Sequence, residues 1–167
     1  MGQTRERRSP RLAVQLPIRV YAIDFKGTDF VEDATTLVVK QHGAKISLLR
    51  QLIPEQEIQI LCQPTNQEAV FRVVSKLTKQ PQGQNTFWGV ECADPEGNIW
   101  GIGFPALGPQ DQSCARVMLQ CPECQVQEML FINERLLEGM QANGGLQREC
   151  ASCGKSGLWK QLPYSES

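Results

Sequence analysis

An all-β fold class is what this sequence predicts, and three observations carry the expectation. Apolar and polar residues alternate with period two in several short stretches between residues 14 and 92. Segments rich in Gly, Pro and Asn interrupt those stretches at near-regular spacing. Five of the seven cysteines crowd into the last third of the 167 residues, which marks that part as a separate module. Six or so short strands in this arrangement suggest a small antiparallel barrel or sandwich, and a barrel is favoured because closure removes exposed strand edges.

The elements follow in order. Val14, Leu16, Ile18, Val20 and Ala22 alternate with Gln15, Pro17, Arg19 and Tyr21, as on a strand with one buried face. Pro17 has no amide hydrogen to give a ladder, so its amide side belongs at an edge or a bulge. Lys26-Gly27 permits a turn, and an extended pattern resumes from Phe30 to Val39. Ala44, Ile46 and Leu48 alternate after Gly43, and Ile58, Ile60 and Cys62 form a further apolar row with Glu57 and Gln59 on the opposite face. A turn over Gln63–Asn66 precedes a strand from Ala69 to Leu77, and a turn over Pro81–Asn85 precedes one from Phe87 to Cys92. Gly103 to Ser113, rich in Pro, Gly and polar residues, reads as a linker. The resulting division is a basic arm over 1–12, a barrel over 13–105, a linker over 106–116 and a small module over 117–160. Leu130, Phe131, Glu134, Leu136, Leu137 and Met140 give a mixed pattern compatible with a short helix ending at Gly144-Gly145. About 50 residues after a linker build a marginal core, so that module needs a further constraint.

Composition bounds the function. Charged residues make up 21% and apolar ones 41%, so a wholly disordered chain is excluded. Seventeen basic residues offset eighteen acidic ones, which argues against a surface that grips nucleic acid all round. No apolar run approaches the length of a membrane-spanning helix, so no membrane insertion is expected. The charged start, Met1-Gly-Gln-Thr-Arg-Glu-Arg-Arg, is no secretory signal, and the expected location is cytoplasmic. Cysteines in a reducing compartment serve metal or redox chemistry more often than structural disulfides.

The strongest chemical motif is Cys121-x-x-Cys124, a gap of 25 residues, then Cys150-x-x-Cys153. Two residues between thiols let both sulfurs face one point from a tight turn, and two such turns supply the four thiolates of a tetrahedral Zn²⁺ site. Gly154 suits a turn whose amides point at sulfur. Over residues 117–160 the chain resembles a zinc ribbon on this paired motif. Four sulfurs leave no position open for water, so the metal is expected to be structural. Cys114 is a spare thiol, and Trp159 is expected to cover the metal site. A redox pair would need one such motif on a βαβ frame, and none is visible.

The second motif is the basic arm. Arg5, Arg7, Arg8 and Arg11 fall within eleven residues, opposed only by Glu6. Guanidinium groups clamp phosphate bidentately and stack on bases. A solvated tail is the ordinary fate of such a run. Taken with the barrel pattern, Arg7-Arg8-Ser-Pro-Arg11, Leu16-Pro-Ile-Arg-Val20, the loop ending His42-Gly43-Ala44, Phe87-Trp-Gly-Val-Glu91 and Asn98–Pro105 resemble the PilZ domain over about 100 residues. The resemblance implies a six-stranded PilZ-like β-barrel that reads cyclic di-GMP. Arg7, Arg8 and Arg11 would hold phosphate or stack on guanine, with Lys40 and Gly43 contributing from the loop. The family's loop motif runs Asp/Asn-x-Ser-x-x-Gly. Here Val38 stands at the first position and Lys40 at the serine, while Gly43 is kept. Two lost base-edge contacts at ~1–3 kcal/mol each would cost ~2–6 kcal/mol, and Lys40 offers a phosphate contact in exchange.

Three functions follow. The first is a non-enzymatic bacterial regulator in which the arm closes over cyclic di-GMP. The second is a barrel that has lost the nucleotide and acts as an adaptor for a protein partner. The third and weakest is nucleic-acid binding through the zinc ribbon, since Arg148, Lys155 and Lys160 are outweighed by Glu123, Glu128, Glu134, Glu138 and Glu149. No catalytic residue is assigned: His42 is the sole histidine and sits in a loop beside a glycine.

Overall fold

A computed structural model describes residues 9–78 and 86–162. The chain divides into two compact units, one spanning Val14–Phe104 and the other combining the N-terminal residues through Ala13 with Pro105 onward.

The first unit is a closed antiparallel barrel. Its strands are β1 (Pro17–Ile23), β2 (Asp29–Lys40), β3 (Gly43–Leu48), β4 (Glu57–Cys62), β5 (Gln67–Thr78) and β6 (Thr86–Cys92). They run around the barrel in the order β1-β2-β3-β6-β5-β4, and β4 closes on β1 through the pairs Ile18–Cys62 and Val20–Ile60. The period-two rows fill the interior: Ile18 and Val20 from β1, Ile46 and Leu48 from β3, Ile58, Ile60 and Cys62 from β4, and Phe71 and Val73 from β5 are all buried. Alternation breaks in β2, where Thr36, Leu37, Val38 and Val39 are buried in succession. The β2–β3 register slips between Thr36 and Val38, a bulge that turns the strand. Chain outside the ladder also satisfies this stretch. The Thr36 hydroxyl donates to the Val14 carbonyl at 2.7 Å and accepts from the Leu16 amide at 2.9 Å.

Residues 14–16 therefore do not extend β1, which begins at Pro17, a position where the missing amide hydrogen costs no ladder bond. The segment 98–102 carries no strand, yet Ile99, Trp100 and Ile102 are buried. The Trp100 indole donates to the Lys40 carbonyl at 3.0 Å and its ring meets Phe71 at 5.7 Å, so this segment packs where β2 ends. The turn expected over Pro81–Asn85 lies outside the described residues.

The second unit holds a four-stranded sheet in the order β8-β7-β10-β9, built from β7 (Ala115–Gln120), β8 (Gln127–Ile132), β9 (Leu146–Glu149) and β10 (Ser156–Gln161). Helix α1 (Glu134–Asn143) joins β8 to β9. It starts later than the apolar pattern suggests, because the Asn133 side chain caps it by accepting from the Leu136 amide at 2.8 Å; Leu130 and Phe131 belong to β8 instead. Leu137 and Met140, one turn apart, face the core with Val117, Leu119, Ile132 and Trp159.

The stretch read as a linker is folded into this unit. Pro109–Gln112 forms a 3₁₀ turn, and Asp111, with no exposed surface, accepts from both Nε and Nη2 of Arg116 at 2.9 and 2.8 Å and from the Gly108 amide at 2.7 Å. The Asp111 carboxylate raises the Arg116 pKa further above its ordinary value. Residues 11–13 also belong here. β10 pairs with β7 only at Leu119 and Gln120, and beyond that point the Arg11 carbonyl and Ala13 amide bond to Arg116 in a parallel bridge.

Candidate metal centre

The four cysteines of the paired motif meet. Cys121 follows β7 and Cys150 follows β9, and each opens a turn of the same construction. In the first, the Cys121 amide donates to the Val126 carbonyl at 2.9 Å, and the Gln125 amide returns to the Cys121 carbonyl at 3.1 Å. In the second, the Cys150 amide donates to Lys155 at 2.9 Å and the Gly154 amide to Cys150 at 2.8 Å. Each turn closes on a residue with left-handed backbone, Gln125 at φ 65° and Gly154 at φ 76°. Glycine supplies that conformation without steric cost, and this is the physical content of the Gly154 signal. Gln125 carries the same duty without advertising it in the sequence.

All four sulfurs lie within 4.8 Å of one another, with Cys121 to Cys153 at 3.9 Å and Cys124 to Cys150 at 3.7 Å. Four sulfurs each about 2.3 Å from a common ion stand about 3.8 Å apart along the edges of the tetrahedron. A disulfide would need about 2.05 Å, so these thiols are unjoined. The cluster is of a size and geometry that can hold a metal ion.

Its electrostatics favour a cation. Burial pushes the Cys121 thiol up, but the amides of Cys124 and Glu123 point at its sulfur, the latter at 3.4 Å, and bring it down to about 7. Cys124 moves the other way. The Val126 amide lowers it, but burial and the crowded sulfurs of Cys150, Cys121 and Cys153 together raise it to about 11. Four thiols this close resist sharing negative charge, and a bound cation removes that resistance.

Trp159 is fully buried, and the Arg148 guanidinium lies 4.3 Å from its ring centroid while bonding Glu128 at 2.9 Å. Gly157 on β10 lies against Pro122 of the first turn, close enough that a Cβ there would approach the proline ring at 2.9 Å. Cys114 stands outside the four-cysteine cluster.

The residues read as a nucleotide site are placed differently. Arg7 and Arg8 lie outside the described residues. Arg11 belongs to the second unit, where Nη1 donates to Glu134 Oε1 at 2.7 Å with both side chains largely shielded. Lys40 and Gly43 belong to the barrel, and Lys40 Nζ lies 3.5 Å from Glu91 Oε1. Gly43 sits opposite Lys40 and Glu91 in the ladders, and a Cβ there would meet the Val90 carbonyl at 2.5 Å and Lys40 Cε at 2.7 Å. Packing alone therefore explains this glycine. Val38 is buried. His42 Nδ1 donates to the Gly97 carbonyl at 2.7 Å, a contact that pins the loop after β6.

Sequence reasoning missed Glu134 as the partner of Arg11 and Asp111 as the partner of Arg116, since both pairings depend on long-range packing. No protein-family model, curated protein or solved structure matches this chain.

Proposed function

We propose that this protein is a non-enzymatic bacterial regulatory adaptor, built from a PilZ-like barrel that no longer reads cyclic di-GMP and a C-terminal module held by structural Zn²⁺, working in the cytoplasm. The observation that carries the reading is the engagement of Arg11. Its guanidinium is paired with Glu134 at 2.7 Å, and its carbonyl is hydrogen-bonded to the Arg116 amide. An arm arginine that clamps a nucleotide must give up the first contact and strain the second, and the ligand would have to repay both. The buried Val38 supports the same reading, because it has no polar atom to offer a guanine edge, and Lys40 is engaged with Glu91 at 3.5 Å. Zinc is favoured over other ions by an all-thiolate tetrahedral donor set, which also leaves no coordination position for substrate.

Titration calorimetry of the full chain with cyclic di-GMP tests the proposal. A receptor with Kd near ~1 µM would be saturated by ~100 µM ligand. No heat is expected at that concentration, and saturable heat would restore the nucleotide-receptor function. For the metal, elemental analysis of protein purified without chelators should return about one zinc per chain.

A further inference from the structure

We propose that Cys124 is a site of oxidation by hydroperoxides, that the buried Cys150 resolves the oxidised sulfur into a disulfide across the two cysteine turns, and that this step releases the metal. The inference rests on the zinc reading of the four-cysteine cluster and adds a modification to it. Burial divides the four sulfurs unequally. Cys121 and Cys150 are buried, Cys153 is half-exposed, and Cys124 is the one exposed cysteine among the described residues. Pro122, Glu123 and Gln125 beside it are exposed as well, so the whole first turn lies open to solvent.

The second observation is which sulfurs stand close. Cys124 lies 3.7 Å from Cys150, and Cys153 lies 3.9 Å from Cys121. Each of these contacts joins a more accessible sulfur of one turn to a buried sulfur of the other. Oxidation by peroxide follows thiolate character and exposure. Metal coordination holds all four sulfurs as thiolates, so exposure decides among them and ranks Cys124 first. Cys62, Cys92 and Cys114 stand outside the cluster. The chemistry balances with one hydrogen peroxide. The Cys124 sulfur attacks a peroxide oxygen; the O–O bond breaks, an S–O bond forms, and hydroxide departs. Sulfur is thereby oxidised by two electrons to a sulfenic acid, and the peroxide is reduced. The Cys150 thiolate then attacks the Cys124 sulfur; the S–S bond forms, the S–O bond breaks, and a second hydroxide departs. Two protons from solvent turn both hydroxides into water. Two of the four thiolates are consumed, and Cys121 and Cys153 alone no longer complete a tetrahedral site.

Hydrogen peroxide added to the zinc-loaded full chain tests this, with released zinc read by a chromogenic dye and the thiols mapped by mass spectrometry. Cleavage after Arg116, Arg135, Arg148 and Lys155 places Cys121 and Cys124 in one tryptic peptide and Cys150 and Cys153 in another. A disulfide across the turns therefore links two peptides, and one within a turn does not. Zinc release is expected together with a Cys124–Cys150 link, early trapping of Cys124 by dimedone, and reversal by dithiothreitol with added zinc. Cys124→His keeps a fourth zinc ligand and removes the exposed thiol, so release should slow about tenfold or more. A Cys92→Ser, Cys114→Ser double variant should release zinc at the wild-type rate. The wild-type map decides by itself where a variant fails to load. Zinc that stays bound under excess peroxide, a disulfide confined to one turn, first trapping at another cysteine, or release that depends on Cys92 or Cys114 overturns the proposal and leaves the zinc reading standing. A chain that carries no zinc when purified without chelators overturns both.

Discussion

The barrel and the C-terminal unit solve the same problem by different means. The barrel closes six strands so that none is left as an edge, and its alternating rows pack one interior. The C-terminal unit has an open four-stranded sheet with β8 and β9 at its edges and one short helix. It adds local devices: a buried Asp111–Arg116 pair, the Asn133 cap, residues 11–13 laid beside β7, and two cysteine turns that bring four sulfurs together at the ends of β7 and β9, where the proposed zinc would join them. The contrast teaches that stability in one region is distributed over a ladder and in the other is concentrated in a few cross-links. Single perturbations should therefore hurt the second far more.

The largest expected effect is metal removal. With zinc in the four-cysteine cluster, as proposed, chelation or Cys150→Ser should unfold the sheet and helix of the C-terminal unit while the barrel stays closed, since structural zinc contributes ~10–16 kcal/mol in small zinc-dependent folds. Amide hydrogen exchange resolved by residue checks this: protection lost over β7–β10 and retained over β1–β6 is the expected pattern. Equal loss in both regions would show that the barrel is not self-sufficient. Because a metal replaces protons on the thiols, the proposed zinc should be released as pH falls.

How much of this contrast was legible in the sequence follows from the range of the interactions. Strand rows are local, so Ile58, Ile60 and Cys62 announced their inward face by spacing alone; several such rows pointed to a small antiparallel barrel or sandwich, and the count of six strands came with the family resemblance. The four clustered cysteines announced themselves by chemistry, since two Cys-x-x-Cys pairs have few uses other than holding a metal. The C-terminal boundaries were hidden. Gly103–Ser113 has linker composition, but its Asp111 is buried only because Arg116 folds back on it. Leu130 and Phe131 join the helical pattern by spacing, but a cap at Asn133 and a ladder with β7 decide otherwise. Arg11 looked like part of a free arm because its partner, Glu134, is 123 residues away.

The second-largest effect tests whether the buried pair is a true cross-link. Asp111→Asn removes the charge from a fully buried site and leaves the Arg116 guanidinium short of its partner. Breaking a buried pair costs ~3–5 kcal/mol, and the partial exposure of Arg116 places this one at the lower end, about 3 kcal/mol. Urea unfolding followed at Trp159, which sits in this unit, should shift its midpoint accordingly. In the barrel, Gly43→Ala should cost less, about 1–3 kcal/mol, because its Cβ would press on the Val90 carbonyl and the ladder can yield only slightly. That loss should be the same with and without cyclic di-GMP, which distinguishes a packing glycine from a ligand-contacting one.

The smallest effect belongs to the barrel surface, where Arg19 Nε donates to Asp33 Oδ1 at 2.8 Å. Hydrogen bonding to Arg19 holds the Asp33 carboxyl below its ordinary value. A carboxyl depressed in the folded state stabilises above the unfolded pKa and loses that contribution as pH falls through the folded one. The direction is therefore fixed: Asp33→Asn should lower the barrel's melting temperature slightly at neutral pH and not at all in strong acid, where the native carboxyl is already protonated. Both partners are exposed, so added salt should erase even the neutral-pH difference. A large, salt-insensitive loss in Asp33→Asn would mean that the barrel, too, depends on individual contacts, and the distinction between the two regions would fail at its weakest point.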